Sequence, residues 1–381
     1  MEEKVETLFS DAVLKKVSQG QRLRAGSKGS LSGLAFGIML SVAMLAAMTG
    51  CDKRERLYIY NWTYYTPDSV IEKFEKEFNV RVIYDEFPSN EDMYAKITSG
   101  ASGYDIVFPS ADYVSIMIEN KMLERIDHSQ IPNLRNVCPA VLAKTDYDAN
   151  MEYSVPYYFG AAGVIVNTAN VPKFERSWSI FARDDLRGRM TMLDDMREVM
   201  GDALVHLGYS VNTVNPSEIT EARDLIINFW KPNLVKFDAE AFGKGFATGD
   251  FWVVQGYPEV VFEEIVEDPR MMANTVFFIP EEGGPAYIDS MVILRGARNI
   301  ELAHKFINFI HDPQIYAEFC DAFGFPASAN VPARQYTRGY MGEGRSWYTI
   351  EDLENVELKK DLGSYLYLYD EAWFRSIRVG D

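Results

Sequence analysis

Asp195 and Glu198 stand three apart in the segment LDDMREV, and Asp289 sits in Tyr287-Ile288-Asp289-Ser290 among apolar neighbours. If a helix begins near Asp194, the first two carboxylates share a face at its N-terminus and can be aimed together at a cation. The same acids also suit a plain helix start, because Asp caps helices and first-turn acids favour the dipole. Asp289 is harder to explain structurally. Asp is depleted in strands, and a buried charge is costly unless partnered. Flat, half-polar rings accompany these acids: Trp62 and Tyr65 flank Thr63 in NWTYYTPDS (61–69), and Tyr257 and Tyr287 follow later. Each ring could equally be ordinary core.

Catalytic constellations are sparse. The chain has no GxSxG, no HExxH, no Walker loop and no GxGxxG after a strand. Asp195 and Glu198 on one helix face lie side by side rather than across a scissile bond, which is poor geometry for a glycosidase pair. His128, His206, His304 and His311 show no metal-ligand spacing, and Tyr365, Tyr367 and Tyr369 alternate rather than share a helix face. No metal or cofactor is expected.

The elements that must position these residues follow from pattern. A chain of 381 residues exceeds one small core, so two lobes are expected. Its net charge of −18 argues against nucleic acid and suits a cationic ligand. LYIYN (57–61), VRVIYDEF (80–87) and YDIVFPS (104–110) read as strands. Between them, Thr66-Pro67 opens one helix and the capping box Ser89-Asn90-Glu91-Asp92 opens another, running to about Ser99. Such alternation predicts a parallel sheet with ligands bound beyond its carboxyl ends, the edge that holds Asn61–Tyr65 and Ser110–Tyr113. A second α/β region is expected from about Gly160 to Gly283, followed by a strand at 286–294, a helix at 299–313 and a helical aromatic tail at 364–377.

The N-terminus reads as an export signal. Basic residues between 15 and 30 precede the apolar run 31–48, and Met48-Thr49-Gly50-Cys51 resembles the lipobox of bacterial lipoproteins, which makes Cys51 the lipidation candidate. Residues 1–50 carry six basic and four acidic groups, so the rest of the chain stands at −20. Cys138 and Cys320, far apart and outside any ligand cluster, are read as buried free thiols.

NWTYY, SNEDMYAKI (89–97), YDIVFPS, YSVPYYFG (153–160), LDDMREVMGDALVHLGYS (193–210) and YIDS (287–290) occur in one order. This resembles the periplasmic spermidine/putrescine-binding proteins of polyamine ABC transporters, over nearly all of residues 55–381. The resemblance implies a two-lobed, type II-like periplasmic binding protein, with a ligand cleft between two α/β domains joined by crossing strands. It divides the chain into a signal (1–50), a tether (51–56), one lobe (57–158 plus 289–336) and another (159–288 plus 337–381). Carried over by position, it implies ligand contacts from Trp62, Thr63, Tyr65, Ser110, Asp195, Glu198, Tyr257, Tyr287 and Asp289. Three positions depart from the family pattern. Tyr64 stands where Glu can occur, and Asp112 where a pocket Tyr is found. Lys359 falls where a Gln reaches the ligand. Asp112 is either an extra acid for a more charged ligand or a first-turn acid. A cation at Lys359 would repel a polyamine, so it either points away or changes the binding mode.

Linear polyamines carry ammonium groups separated by methylenes, so they need carboxylates spaced along a groove and flat apolar walls between them. Trp62 and Tyr65 are the expected walls, and Asp195, Glu198 and Asp289 the expected charge partners. The expectation is a monomeric, non-enzymatic, lipid-anchored periplasmic receptor serving an inner-membrane ABC permease. Its rivals are the same fold binding another solute (a cationic small molecule, a sugar or thiamine), a hydrolase using Asp195 and Asp289, and a surface sensor or adhesin.

Overall fold

The computed structural model describes residues 53–63, 65–100, 103–338, 348 and 350–379. The signal segment 1–50, Cys51 and Tyr64 lie outside the described residues.

Strand β1 (Arg56–Trp62) buries Leu57, Ile59, Tyr60 and Asn61, as a strand covered on both faces does. Helix α1 (Asp68–Phe78) turns Val70 and Phe74 into the core and starts one residue later than its Thr-Pro signal predicts. Pro67 takes the cap position because the Thr66 hydroxyl is engaged elsewhere, with the Asn61 amide and the Tyr157 hydroxyl, each at 3.1 Å. Strand β2 (Arg81–Phe87) pairs in parallel with β1. Helix α2 (Asn90–Thr98) is capped by Ser89, whose hydroxyl accepts from the Asp92 N–H, as the capping-box pattern implies.

Strand β3 (Ile106–Val107) is much shorter than the expected 104–110. The buried carboxylate of Asp105 accepts from the backbone N–H groups of Tyr58, Arg298 and Asn299, and Pro109 has no N–H to give a ladder. The chain meets the sheet again only at Ser110, as an isolated bridge to Asp289, and then enters α3 (Ala111–Glu119).

The apolar run around residue 160 forms two strands. β4 (Ser154–Ala161) belongs to the first sheet, and β5 (Gly163–Asn167), one residue later, belongs to a second. β6 (Met190–Met192), helices α4 (Met196–His206) and α5 (Pro216–Leu225), β7 (Leu234–Phe237), β8 (Val253–Gly256), α6 (Pro258–Ile265) and β9 (Thr275–Phe278) build that second unit. β10 (Pro285–Ile293) returns to the first sheet, followed by α7 (Ile300–Ile310), α8 (Pro313–Phe323), β11 (Glu357–Leu358) and α9 (Leu366–Ala372).

The first sheet runs β11-β10-β3-β1-β2 with β4 also paired to β10; the second runs β7-β6-β8-β5-β9. β10 is antiparallel to both β3 and β4. Separate apolar cores lie under the two sheets. One gathers Phe74, Phe306, Phe309 and Tyr316, the other Trp178, Trp230 and Trp373. This is the two-lobed α/β architecture, with the β4–β5 and β9–β10 passages joining the halves. Cys138 and Cys320 are free and buried.

Candidate functional site

The site is assembled from two corners. At the first, a bulge between Asp289 and Ser290 interrupts the β10–β4 register, and the Asp289 carboxylate is only 4 % exposed. Bulges re-aim side chains beside functional sites. The Tyr65 hydroxyl donates to Asp289 Oδ2 at 2.6 Å, and the Ser110 hydroxyl donates to Oδ1 at 2.6 Å. Ser110 is itself held by Asn90, whose amide donates to the Ser110 oxygen at 3.0 Å and accepts from the Ser110 N–H at 3.1 Å. Burial raises the Asp289 carboxyl to about 6, with the two hydroxyl bonds and Lys359 pulling the other way. Burial, then the Asp289 charge, pushes the Tyr65 phenol well up, so it stays a donor.

At the second corner, α4 begins at Met196, near Asp194 as the pattern suggests. Asp195 is its cap, accepting from the N–H groups of Arg197 (2.8 Å) and Glu198 (3.0 Å), while Asp194 pairs with Arg378. The Glu198 carboxylate is fully buried and bonded to the Lys359 ammonium, and the Tyr257 hydroxyl reaches the same oxygen at 3.3 Å. Lys359 therefore points into the site. Burial lowers its pKa, but the Glu198, Asp195 and Asp112 carboxylates outweigh that and hold it above the ordinary lysine value. Burial raises Glu198, with Lys359 opposing and Asp195 adding to the rise.

The corners meet across a cavity of about 40 Å³ lined by Asn90, Ser110, Ala111, Asp112, Ala286, Tyr287 and Lys359. Asp112, half-buried, accepts from the Tyr113 N–H at 3.0 Å; burial raises its carboxyl and Lys359 lowers it. Tyr287 stands edge-on to Tyr257, ring centres 5.8 Å apart, and 6.1 Å from Tyr158. Backbone bareness at Gly160 permits this: a Cβ there would lie 2.7 Å from the Tyr287 hydroxyl and 2.8 Å from the Tyr158 ring.

The remaining residues singled out from the sequence are placed unevenly. The Trp62 indole donates to the Phe108 carbonyl at 2.8 Å and its ring packs on Phe87. Tyr65 differs from an expected wall, since its ring is packed among Tyr157, Tyr158, Phe319 and Phe325 and only its hydroxyl serves Asp289. Thr63 is exposed, its backbone N–H bonded to Phe87. Three polar groups near the site were not among the sequence candidates. Asn90 was visible only as part of a capping box. Glu259, in the first turn of α6, is raised by burial and by Asp289 to about 7. Asp202, fully buried, lies one helical turn beyond Glu198, and burial followed by Glu198 raises its carboxyl well above the ordinary value, with Lys359 and Gln255 opposing. The four-residue spacing from Glu198 to Asp202 was legible in the sequence.

A two-lobed fold with an acidic, tyrosine-walled cleft at the junction defines a solute-binding protein. Residues 69–337 match the family of bacterial extracellular solute-binding proteins, and the chain belongs to that family. It is 33% identical over 344 residues to the spermidine/putrescine-binding periplasmic protein of Escherichia coli (strain K12), covering 90% of this chain and 96% of that one. The putrescine/cadaverine-binding protein of Pseudomonas aeruginosa (PAO1) is 30% identical over 306 residues, covering 77% of this chain and 86% of its own. Among solved structures, the Tp0655 (TpPotD) lipoprotein of Treponema pallidum aligns with a TM-score of 0.81 and 50% identity, over 84% of this chain and 99% of that one.

Proposed function

We propose that this protein captures a linear polyamine, spermidine or putrescine, outside the cytoplasm and delivers it unchanged to an inner-membrane ABC permease. Asp289 carries the reading: a nearly buried carboxylate whose two strong bonds come from neutral hydroxyls, beside the cavity. The names of the relatives, which bind spermidine, putrescine or cadaverine, support it.

In this reading Asp289 receives one ammonium, oriented by Tyr65 and Ser110. Asp195 and Glu198, the latter already paired with Lys359, stand at the far end, Trp62, Tyr257 and Tyr287 cover methylenes, and Thr63 sits at the rim. Asp112 adds a carboxylate at the cavity. The lobes are 57–158 plus 289–336 and 159–288 plus 337–381, with β4 and β10 as the crossing strands. Residues 51–56 tether a monomer to the membrane through lipidated Cys51, a reading supported by the lipoprotein title of the Treponema pallidum relative. No turnover is assigned, because Asp195, the acid a hydrolase would need, already serves two N–H groups as a helix cap.

Calorimetric titration of the purified protein with spermidine and putrescine, with glucose and arginine as controls, tests this. One-to-one binding of a polyamine is expected, and Asp289→Asn should weaken it roughly ten- to hundredfold, the worth of a charge-assisted hydrogen bond. Absence of heat with either polyamine would discard the cargo.

A further inference from the structure

We infer that Lys359 is a specificity-determining residue: its ammonium fills one cation position of the cleft, so the site selects diamines over triamines. The inference rests on the polyamine reading above. Lys359 is fixed in place rather than merely nearby. Its N–H donates to the Ala286 carbonyl at 3.0 Å. The residues on either side are clamped by one side chain: the Asn212 amide donates to Leu358 O at 2.9 Å and accepts from the Lys360 N–H at 2.9 Å. So anchored, the side chain is 18 % exposed and reaches the fully buried Glu198.

With Glu198 matched from within and Asp195 engaged as the cap of α4, the carboxylates at the cavity itself are Asp112, on its lining, and Asp289, through Ser110. Two carboxylates suit two ammonium groups. A third would have to stand against the Lys359 ammonium, and like charges in a poorly solvated site disfavour each other strongly. Lys359 lines the same cavity as Asp112 and Tyr287, so its stem takes space there that the third segment of a triamine would need.

The test is calorimetric titration of wild type, Lys359→Gln, Lys359→Met and Lys359→Arg with putrescine and spermidine, each variant first checked by thermal melting. Wild type should favour the diamine at least tenfold. The Gln and Met variants should lose at least tenfold of that ratio by gaining spermidine, and the Arg variant should keep the preference. Should removal of the lysine alone prevent folding, the pair Glu198→Gln with Lys359→Gln removes both charges together and should show the same fall. Equal or reversed wild-type affinities, or a ratio that the neutral variants leave unchanged, would overturn the inference while the polyamine reading stands. Binding of neither amine by wild type would overturn both.

Discussion

Asp289 and Glu198 are two carboxylates buried to nearly the same extent, and the protein treats them oppositely. Asp289 receives hydroxyl donors from the loop after β1 and from Ser110 at the start of α3. Glu198 is given a full cation from the chain's own tail. Hydroxyls lower the cost of burying a carboxylate without cancelling its charge, so Asp289 keeps a net attraction for an incoming ammonium. An internal lysine cancels the charge and with it most of the attraction. In the proposed function one corner receives a cation, while the other already holds one of its own.

Breaking the Glu198 corner has the largest expected effect. Glu198→Gln leaves the Lys359 ammonium buried without its carboxylate, and removing one partner of a buried pair costs about 3–5 kcal/mol. Thermal or denaturant unfolding should show it. Asp289→Asn in the same assay should leave ligand-free stability near or above wild type at pH 8. Equal losses would erase the distinction between the corners.

The pH response sharpens the contrast. Asp289 titrates at about 6 and Glu259 at about 7 in the folded protein, both above their ordinary values. The folded state thus holds protons that the unfolded chain has already released. The stability these groups contribute is fully present near pH 4 and is lost as pH rises through 6 and 7. For Asp289 the span corresponds to roughly 3 kcal/mol at 1.36 kcal/mol per unit. The wild-type minus Asp289→Asn stability difference should fall from pH 4 to pH 7 and then level. Ligand affinity should move the other way, rising with pH as Asp289 ionises. A flat difference would contradict a buried, hydroxyl-bound Asp289.

A smaller effect is expected at the wall between the corners. Gly160→Ala would press on Tyr287 and Tyr158, costing about 1–3 kcal/mol in overpacking and weakening ligand binding. The smallest is expected at the rim, where Thr63→Ala should change stability by less than about 0.5 kcal/mol. A loss comparable to that of Gly160→Ala would show that Thr63 belongs to the packing of the fold rather than to its exposed rim.

Much of this architecture was legible beforehand because local rules had no competition. The β1–α1–β2–α2 alternation follows from periodicity and turn residues, and Ser89 caps α2 as its neighbours imply. Local rules failed where a side chain had a distant engagement. Thr66 yields its cap because Asn61 and Tyr157 claim its hydroxyl. β3 is shortened because Asp105 takes backbone N–H groups from around 298. At the site, Asp289 stood out because a lone acid in a strand demands a partner. Glu259 and Asn90 did not, since a first-turn acid and a capping-box Asn have sufficient local reasons to exist.

What the sequence by itself determined was the class of elements, which depends on residue type and near-neighbour spacing, together with the two lobes that its length suggests and the acidic, aromatic cleft that its family resemblance implies. What only the tertiary structure decided was the use of each charge. Asp289 and Tyr65 are 224 positions apart in the chain, and Lys359 and Glu198 are 161 apart. Whether a lysine faces solvent or a buried carboxylate depends on the strand pairing of β11 with β10 and on the Asn212 clamp. No spacing rule spans such distances. Electrostatics in a folded chain is set by separation in space and by exclusion of water, and both arise only when the two sheets come together.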